Sequence, residues 1–106
     1  MNLKLKRGSD SSNTLTVIKP ALDYPRRNEK ITSKHYTFRI SVSGPAKNVE
    51  LSINQGPWLS CRNSVGYWWC DWFNYGRGGY KAVVRAQTAG GQKVNSETYE
   101  FFVDTK

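Results

Sequence analysis

The chain has 106 residues, of which 38% are hydrophobic and 13% aromatic, and it carries a formal charge of +8. This length provides one domain with a single core, and the aromatic content excludes a disordered chain. No segment approaches the roughly 20 apolar residues that a membrane-spanning helix requires. The positive charge favours anionic partners, such as an acidic protein surface, or else serves solubility.

The first 13 residues are basic and polar, and we expect a flexible arm here, followed by a domain over 14–105. Lys4, Lys6 and Arg7 would allow the arm to attach to an acidic neighbour through charge. This charged start lacks the roughly 7–15-residue apolar stretch of a signal peptide. We therefore expect a cytoplasmic protein, or an exported one if a leader has been removed.

Short strands separated by turn residues follow along the rest of the chain. Leu15–Lys19 is a β-branched run that Pro20 is expected to end, and 20–35 is predicted to be a long connection. Residues 36–42 alternate between apolar and polar side chains, which is typical of a half-buried strand. Further strands are predicted at 49–53, 58–62, 67–73, 80–86 and 98–103. Seven short strands with closely spaced turns predict an all-β fold, an antiparallel sandwich or barrel.

An aromatic hairpin is the most distinctive feature, because eight of the 14 aromatic residues lie between positions 58 and 80. With Val65-Gly66 as its turn, Cys61 faces Cys70 and Leu59 faces Trp72. That face is apolar and is predicted to meet the core. The opposite face is predicted to be at least partly wet, and it holds Trp58, Ser60, Arg62, Trp69, Asp71 and Phe73. A register shift of one residue would exchange the two faces.

The outward face of this hairpin is the main candidate binding surface. Arg62 is expected opposite Trp69, close enough for a cation–π contact of ~0.5–1 kcal/mol. Flat aromatic rings beside hydrogen-bonding groups suit sugar rings, peptide segments or nucleobases. The residues predicted to bind are Trp58, Arg62, Trp69, Asp71, Phe73 and Asn74. The alternative is that Trp58 and Phe73 are covered by the N-terminal arm or by the loop at 76–79.

The two cysteines have two interpretations. Cys61 and Cys70 are predicted to lie opposite each other, at a distance that a disulfide bond spans. The alternative is a pair of buried thiols that pack as small apolar side chains. The missing signal peptide favours thiols, because disulfides are rare in the cytosol.

Nothing in the sequence supplies a catalytic or metal site. His35 is the only histidine, so a zinc ion would lack clustered ligands, and no cofactor is predicted. The carboxylates are scattered rather than paired as glycoside hydrolysis requires. The loop at 76–79 lacks the Lys-Ser/Thr of a phosphate-binding loop. We therefore predict that the protein is not an enzyme.

The stretches Val49–Trp58 and Gly66–Trp72 resemble bacterial immunoglobulin-like and fibronectin type III-like domains. Those modules carry a Val-x-Val-Ser-x-Asp-Gly-Gly-x-Trp strand and then a second strand with tryptophan; here the turn is Asn54-Gln55-Gly56. The resemblance covers about 14–104, with a fitting last strand at 99–103, and implies a seven-stranded antiparallel β-sandwich. It implies an accessory part of a larger exported enzyme or surface protein and no catalytic residues.

Together these features predict a non-catalytic protein-interaction module, a small subunit or accessory of a larger assembly. Its partner is expected to present an acidic surface to the basic arm and the aromatic face. A carbohydrate-binding module is the first alternative, with Trp58 or Trp69 stacked on a sugar ring and Asp71 and Asn74 bound to hydroxyl groups. Single-stranded nucleic-acid binding is the second, although the aromatic segment itself contains few basic residues.

Overall fold

The computed structural model describes residues 17–105, so the predicted arm residues Lys4, Lys6 and Arg7 lie outside the described part. Within that part there is no helix, and ten strands form the fold. The strands are β1 (Lys19–Tyr24), β2 (Lys30–Ile31), β3 (Tyr36–Ser43), β4 (Asn48–Ile53), β5 (Leu59–Ser60), β6 (Arg62–Ser64), β7 (Tyr67–Trp72), β8 (Gly78–Gln87), β9 (Lys93–Asn95) and β10 (Tyr99–Val103).

The strands form two sheets that enclose one core. The first sheet has the order β1-β3-β7-β6, and the second has the order β2-β10-β8-β4-β5, with β9 also paired to β8. Neighbouring strands are antiparallel except for the short parallel pair of β2 and β10. The predicted all-β antiparallel sandwich is confirmed. Residues 17–105 hold more strands than predicted because strands of two or three residues are too short to show a period of two.

The first strand differs from its prediction. It runs from Lys19 to Tyr24 and contains Pro20, so the prediction that Pro20 ends a strand is wrong. β1 lies at the edge of its sheet and pairs only with β3. Proline is tolerated at an edge because its missing N–H leaves no ladder hydrogen bond unmade there. The segment 20–35 is therefore not one long connection, since it contains most of β1 and all of β2.

The core is built from alternate residues of the longer strands. In β3, Phe38 and Ile40 are fully buried, as the alternating pattern predicts, while Arg39 points to the outer face. Phe101 of β10 meets Phe38 edge-on, with ring centroids 5.6 Å apart, and thereby joins the two sheets. β8 contributes smaller buried side chains in the same alternation, at Ala82, Val84 and Ala86.

Val65 and Gly66 form the turn between β6 and β7, as predicted. Their φ angles are 46° and 84°, and a type I′ hairpin turn needs positive φ at both of its central positions. Glycine adopts such an angle readily, whereas a β-branched residue is an uncommon occupant. Val65 is also 83% exposed, so it gains little from packing.

We expect Val65→Asn to raise the free energy of unfolding by about 1 kcal/mol, because asparagine tolerates the left-handed region better than valine. Urea denaturation followed by tryptophan fluorescence measures the change. Val17→Asn is the matched control, since Val17 is 81% exposed and is not among the residues with positive φ. A Val65 variant no more stable than this control would contradict the strain assigned to the turn.

Candidate functional site

The chain changes sheets just before β6. Arg62 lies opposite Trp69, as predicted, but Leu59 lies opposite Leu51 of β4. The prediction that Leu59 faces Trp72 is therefore wrong. The physical reason is that the edge of β4 has backbone groups that need partners, and β5 supplies them.

The chain crosses from the second sheet to the first at Cys61. Its N–H donates to the carbonyl oxygen of Val49 in β4, at 2.9 Å, whereas the next residue, Arg62, already pairs with β7. The chain on either side of Cys61 thus belongs to different sheets. This crossing decides where the aromatic residues before and after it are placed.

Trp58 lies on the outer face of the second sheet. Its ring covers the guanidinium group of Arg85, which is 4.0 Å from the ring centroid. Arg85 points outward because its neighbours Val84 and Ala86 are fully buried. Two nitrogens of Arg85 donate to one carboxylate oxygen of Glu50, at 2.8 and 3.2 Å. The indole is therefore held over a cation that an ion pair fixes in place.

Trp69 lies on the outer face of the first sheet, on the opposite side of the sandwich from Trp58. Its indole N–H donates to the carbonyl oxygen of Ser64 at 3.0 Å. Arg62 faces it across the strand pair, but the guanidinium group binds Asp71 at 2.6 Å in place of the predicted cation–π contact. The predicted binding face is thus divided between the two sides of the molecule.

Asp71 and Phe73 stay on the side of Trp69. Asp71 accepts a hydrogen bond from the Thr37 hydroxyl at 2.8 Å. Arg62 and then Thr37 hold the pKa of Asp71 below its usual value. Phe73 is 56% exposed, with its ring centroid 5.8 Å from that of His35. This side therefore presents an ion pair and an open aromatic ring.

The same face holds a cluster that sequence reasoning missed. The Arg39 guanidinium lies between two tyrosine rings, 4.7 Å from the centroid of Tyr24 and 4.4 Å from that of Tyr67. It also lies 3.4 Å from the carboxylate of Asp23. These residues come from three strands that become neighbours only through the sheet order. The one sequence feature that points to this cluster is the outward position of Arg39 in the alternating pattern of β3.

A groove of about 980 Å³ crosses the outer face of the second sheet beside Trp58. Lys81 and Val83 of the central strand β8 line its base. The rest of its lining is mostly polar, with four amide side chains and two hydroxyl groups, from Asn28, Asn54, Gln55, Asn95, Ser52 and Thr98. A concave surface with one indole and many hydrogen-bonding groups is suited to a polar ligand.

The rim of the groove contains residues in the left-handed region, since φ is 62° at Asn28, 53° at Asn54 and 59° at Gln55. The Asn54 side-chain oxygen accepts the N–H of Lys81 at 2.9 Å, and the N–H of Asn54 donates to the carbonyl oxygen of Lys81 at 2.8 Å. The N–H of Asn28 donates to the carbonyl oxygen of Glu100 at 2.8 Å. Such conformations persist where surrounding contacts fix them, and they cluster at ligand sites.

Charges in and beside the groove are balanced, although the chain as a whole is basic. Arg27 forms an ion pair with Glu97 and lies over the ring of Tyr99, 4.6 Å from its centroid. Lys81 lies directly opposite Glu100 in the pairing of β8 with β10. A groove with balanced charges favours a neutral ligand over a polyanion.

A second aromatic side chain lies farther along this face. Phe102 is 44% exposed, and the hollow of about 240 Å³ beside it shares lining residues with the groove. Phe102 pairs with Gly79 of β8, whereas Trp58 lies over Arg85 of the same strand. Six residues of strand separate these two positions, which places the rings roughly 20 Å apart along β8.

Asn74, which was predicted to bind sugar hydroxyl groups beside Trp58 or Trp69, lines a separate hollow of about 320 Å³. That hollow shares Asn54 with the groove, so Asn74 lies near the groove but not in it. Between residues 17 and 105, no three histidine, cysteine or carboxylate side chains are grouped to hold a metal ion. The same residues contain no helix that is long and apolar enough to cross a membrane.

No protein-family model matches this chain, and no curated protein matches it in sequence. Solved structures do match. The fibronectin(III)-like modules of CbhA from Clostridium thermocellum are similar to it with a TM-score of 0.64 and 18% identity, over 82% of this chain and 46% of that chain. The fold is a fibronectin type III-like β-sandwich.

Two further matches come from different proteins. A modular endo-β-1,4-mannanase from Cellulomonas fimi matches with a TM-score of 0.63 and 20% identity, over 89% of this chain and 20% of that chain. CopC from Methylosinus trichosporium OB3b matches with a TM-score of 0.62 and 18% identity, over 81% of this chain and 94% of that chain. The chain thus spans about a fifth of the mannanase and about half of the CbhA structure. At these identities the structural similarity shows the fold alone, and it confirms the predicted resemblance to a fibronectin type III-like sandwich.

Proposed function

We propose that this domain is a non-catalytic module that binds a neutral polysaccharide chain in the groove beside Trp58. The observation that carries the proposal is one groove that combines an indole with four amide side chains. An aromatic ring can stack on the face of a sugar while amides exchange hydrogen bonds with its hydroxyl groups. A similar sandwich within a modular endo-β-1,4-mannanase supports a role beside polysaccharide.

Side chains that line the groove are held in place by contacts within the protein. Trp58 rests on Arg85, which Glu50 holds in turn. Asn54 on the rim is fixed by two hydrogen bonds to the backbone of Lys81. Groups that are already held in place lose less conformational freedom when a ligand binds.

The spacing of the aromatic rings supports an extended ligand. Trp58 and Phe102 bracket the stretch of β8 between Arg85 and Gly79, roughly 20 Å long. A single sugar ring occupies only one end of this stretch, whereas a linear chain reaches both rings. We infer that affinity rises with chain length until both aromatic residues are covered.

Affinity electrophoresis tests the proposed function. The native protein is run through gels containing soluble β-1,4-mannan, a neutral β-glucan or polygalacturonate, in a high-salt buffer that screens attraction to the polyanion. We expect a neutral polymer to retard the protein and polygalacturonate to have no effect. Retardation by none of the neutral polymers, or retardation that vanishes with added salt as charge-driven binding does, would contradict the proposal.

A protein partner bound to the outer face of the first sheet is the second candidate function. The stacking of Arg39 between Tyr24 and Tyr67, beside Trp69, favours it. Tyrosine, tryptophan and arginine are the residues that dominate protein–protein hot spots, and the formal charge of +8 favours an acidic partner. Since this face and the groove lie on opposite sides, substitutions at Trp58 and Trp69 separate the two functions.

A further inference from the structure

We propose that Cys61 and Cys70 form an intramolecular disulfide bond when the folded protein meets a low-molecular-weight disulfide such as oxidised glutathione. Both are free thiols in this structure. The bond would join β7 to the residue at which the chain crosses from one sheet to the other. The inference is independent of the proposed polysaccharide binding.

The hairpin register gives the two cysteines a suitable spacing. In a hairpin with a two-residue turn, the two residues beside the turn exchange backbone hydrogen bonds. Successive pairs then alternate between non-hydrogen-bonded and hydrogen-bonded positions. Arg62 and Trp69 are the third pair from the turn and form a hydrogen-bonded pair. Cys61 and Cys70 are the residues that follow this last pair of the β6–β7 register. In a regular antiparallel pair that position is a non-hydrogen-bonded one, where Cα atoms are ~4.5 Å apart. A disulfide bond spans roughly 4.4–6.8 Å between Cα atoms.

Contacts of the two residues support this placement. The N–H of Cys61 donates to Val49 in the other sheet at 2.9 Å, as expected where it does not bond to Cys70. Both side chains point inward, since Cys70 is 3% exposed and Cys61 packs against the core. The Cys61 thiol lies 4.0 Å from the carbonyl oxygen of Leu59, and the Cys70 thiol lies 4.0 Å from that of Asp71. The two thiols therefore lie on the same inward side of the sheet, next to the core.

The reaction is a thiol–disulfide exchange in two steps. Cys61, the more exposed of the pair, attacks one sulfur of oxidised glutathione as its thiolate, forming a mixed disulfide and releasing one glutathione thiolate. The thiolate of Cys70 then attacks the sulfur of Cys61, forming the internal bond and releasing the second glutathione. The two protein thiols lose two protons and two electrons, and the glutathione disulfide takes up both electrons and both protons to become two thiols.

Mass spectrometry of the native protein in glutathione redox buffers tests the inference. We expect a monomer that has lost two hydrogens, carries no glutathione and yields one peptide pair linked through Cys61 and Cys70. The equilibrium constant for oxidation should be on the order of 100-fold larger for the folded protein than for the protein in urea. The thermal midpoint of the oxidised form should be higher by roughly 10 °C.

Cys70→Ser is the informative variant, since it should retain glutathione on Cys61 as a lasting mixed disulfide. If that variant does not fold, the oxidation equilibrium constants of the unsubstituted protein, folded and in urea, are sufficient to test the proposal. A persistent mixed disulfide on the native protein, disulfide-linked dimers, or equal oxidation in the folded and unfolded states would overturn the proposal.

Discussion

Trp58→Ala should weaken the binding of a neutral polysaccharide by about 30-fold or more, because an aromatic hot spot contributes about 2 kcal/mol or more. The indole supplies the one flat apolar surface in a groove whose other side chains are mainly polar. Each hydrogen bond that remains contributes only about 0.5–1.5 kcal/mol. Isothermal titration with the polymer that retards the native protein measures the loss.

Trp69→Ala is the matched control for this experiment. It removes the same type of side chain from the opposite face of the sandwich, so polysaccharide binding should be unchanged. Loss of the Trp58 contact with Arg85 should lower stability by only ~0.5–1 kcal/mol, and urea denaturation checks that both variants remain folded. Binding that survives in Trp58→Ala but is lost in Trp69→Ala would assign recognition to the first sheet.

Phe101→Ala should have the largest effect on stability, with a loss of about 3–5 kcal/mol in the free energy of unfolding. Phe101 is completely buried. Its ring centroid lies 5.6 Å from those of Phe38 and Trp72 and 5.7 Å from that of Tyr80. Truncation would open a cavity where the two sheets meet, and small domains have only about 5–15 kcal/mol of total stability. Urea denaturation measures the loss.

Phe102, the residue that follows Phe101, provides the control for the Phe101→Ala variant. Phe102 is 44% exposed on the outer face of β10. We expect Phe102→Ala to change the free energy of unfolding by less than about 1 kcal/mol. If the two variants were equally destabilised, or if Phe102→Ala were the worse, the orientation of β10 would be wrong.

The fold could be predicted from the sequence because its longest strands alternate plainly. In β3, Phe38 and Ile40 alternate with Thr37 and Arg39, and a period of two indicates a strand with one buried face. The hairpin turn at Val65-Gly66 was also predictable, because glycine supplies the positive φ of a tight turn. Local patterns of this kind specify strands and turns without any knowledge of their neighbours.

The crossing at Cys61 could not be predicted in the same way. Residues 58–62 form one apolar and polar alternation in the sequence, yet Leu59 pairs with β4 and Arg62 pairs with β7. Which strand accepts a given N–H depends on pairing between distant segments, and a local pattern carries no information on it. This single crossing moved Trp58 away from Trp69 and divided the predicted binding face.

The groove depends even more on distant pairing. Asn28, Asn54 and Asn95 lie far apart in the sequence and meet only because β10, β4 and β9 all pair with β8. Trp58 was identified because it belongs to a dense aromatic segment, whereas single asparagines in loops carry no such signal. Sequence reasoning therefore found the proposed stacking residue, Trp58, but none of the amide side chains around it.

In the proposed binding mode Trp58 is the tryptophan that a polysaccharide ligand contacts, and the indole N–H resonances of the four tryptophans report on this contact. They can be assigned with single Trp→Phe variants and followed in ¹⁵N-labelled protein as the retarding polymer is added. We expect a saturable shift of the Trp58 resonance while the Trp69 resonance stays constant. A titration in which the Trp69 resonance moves and the Trp58 resonance does not would contradict binding at the groove.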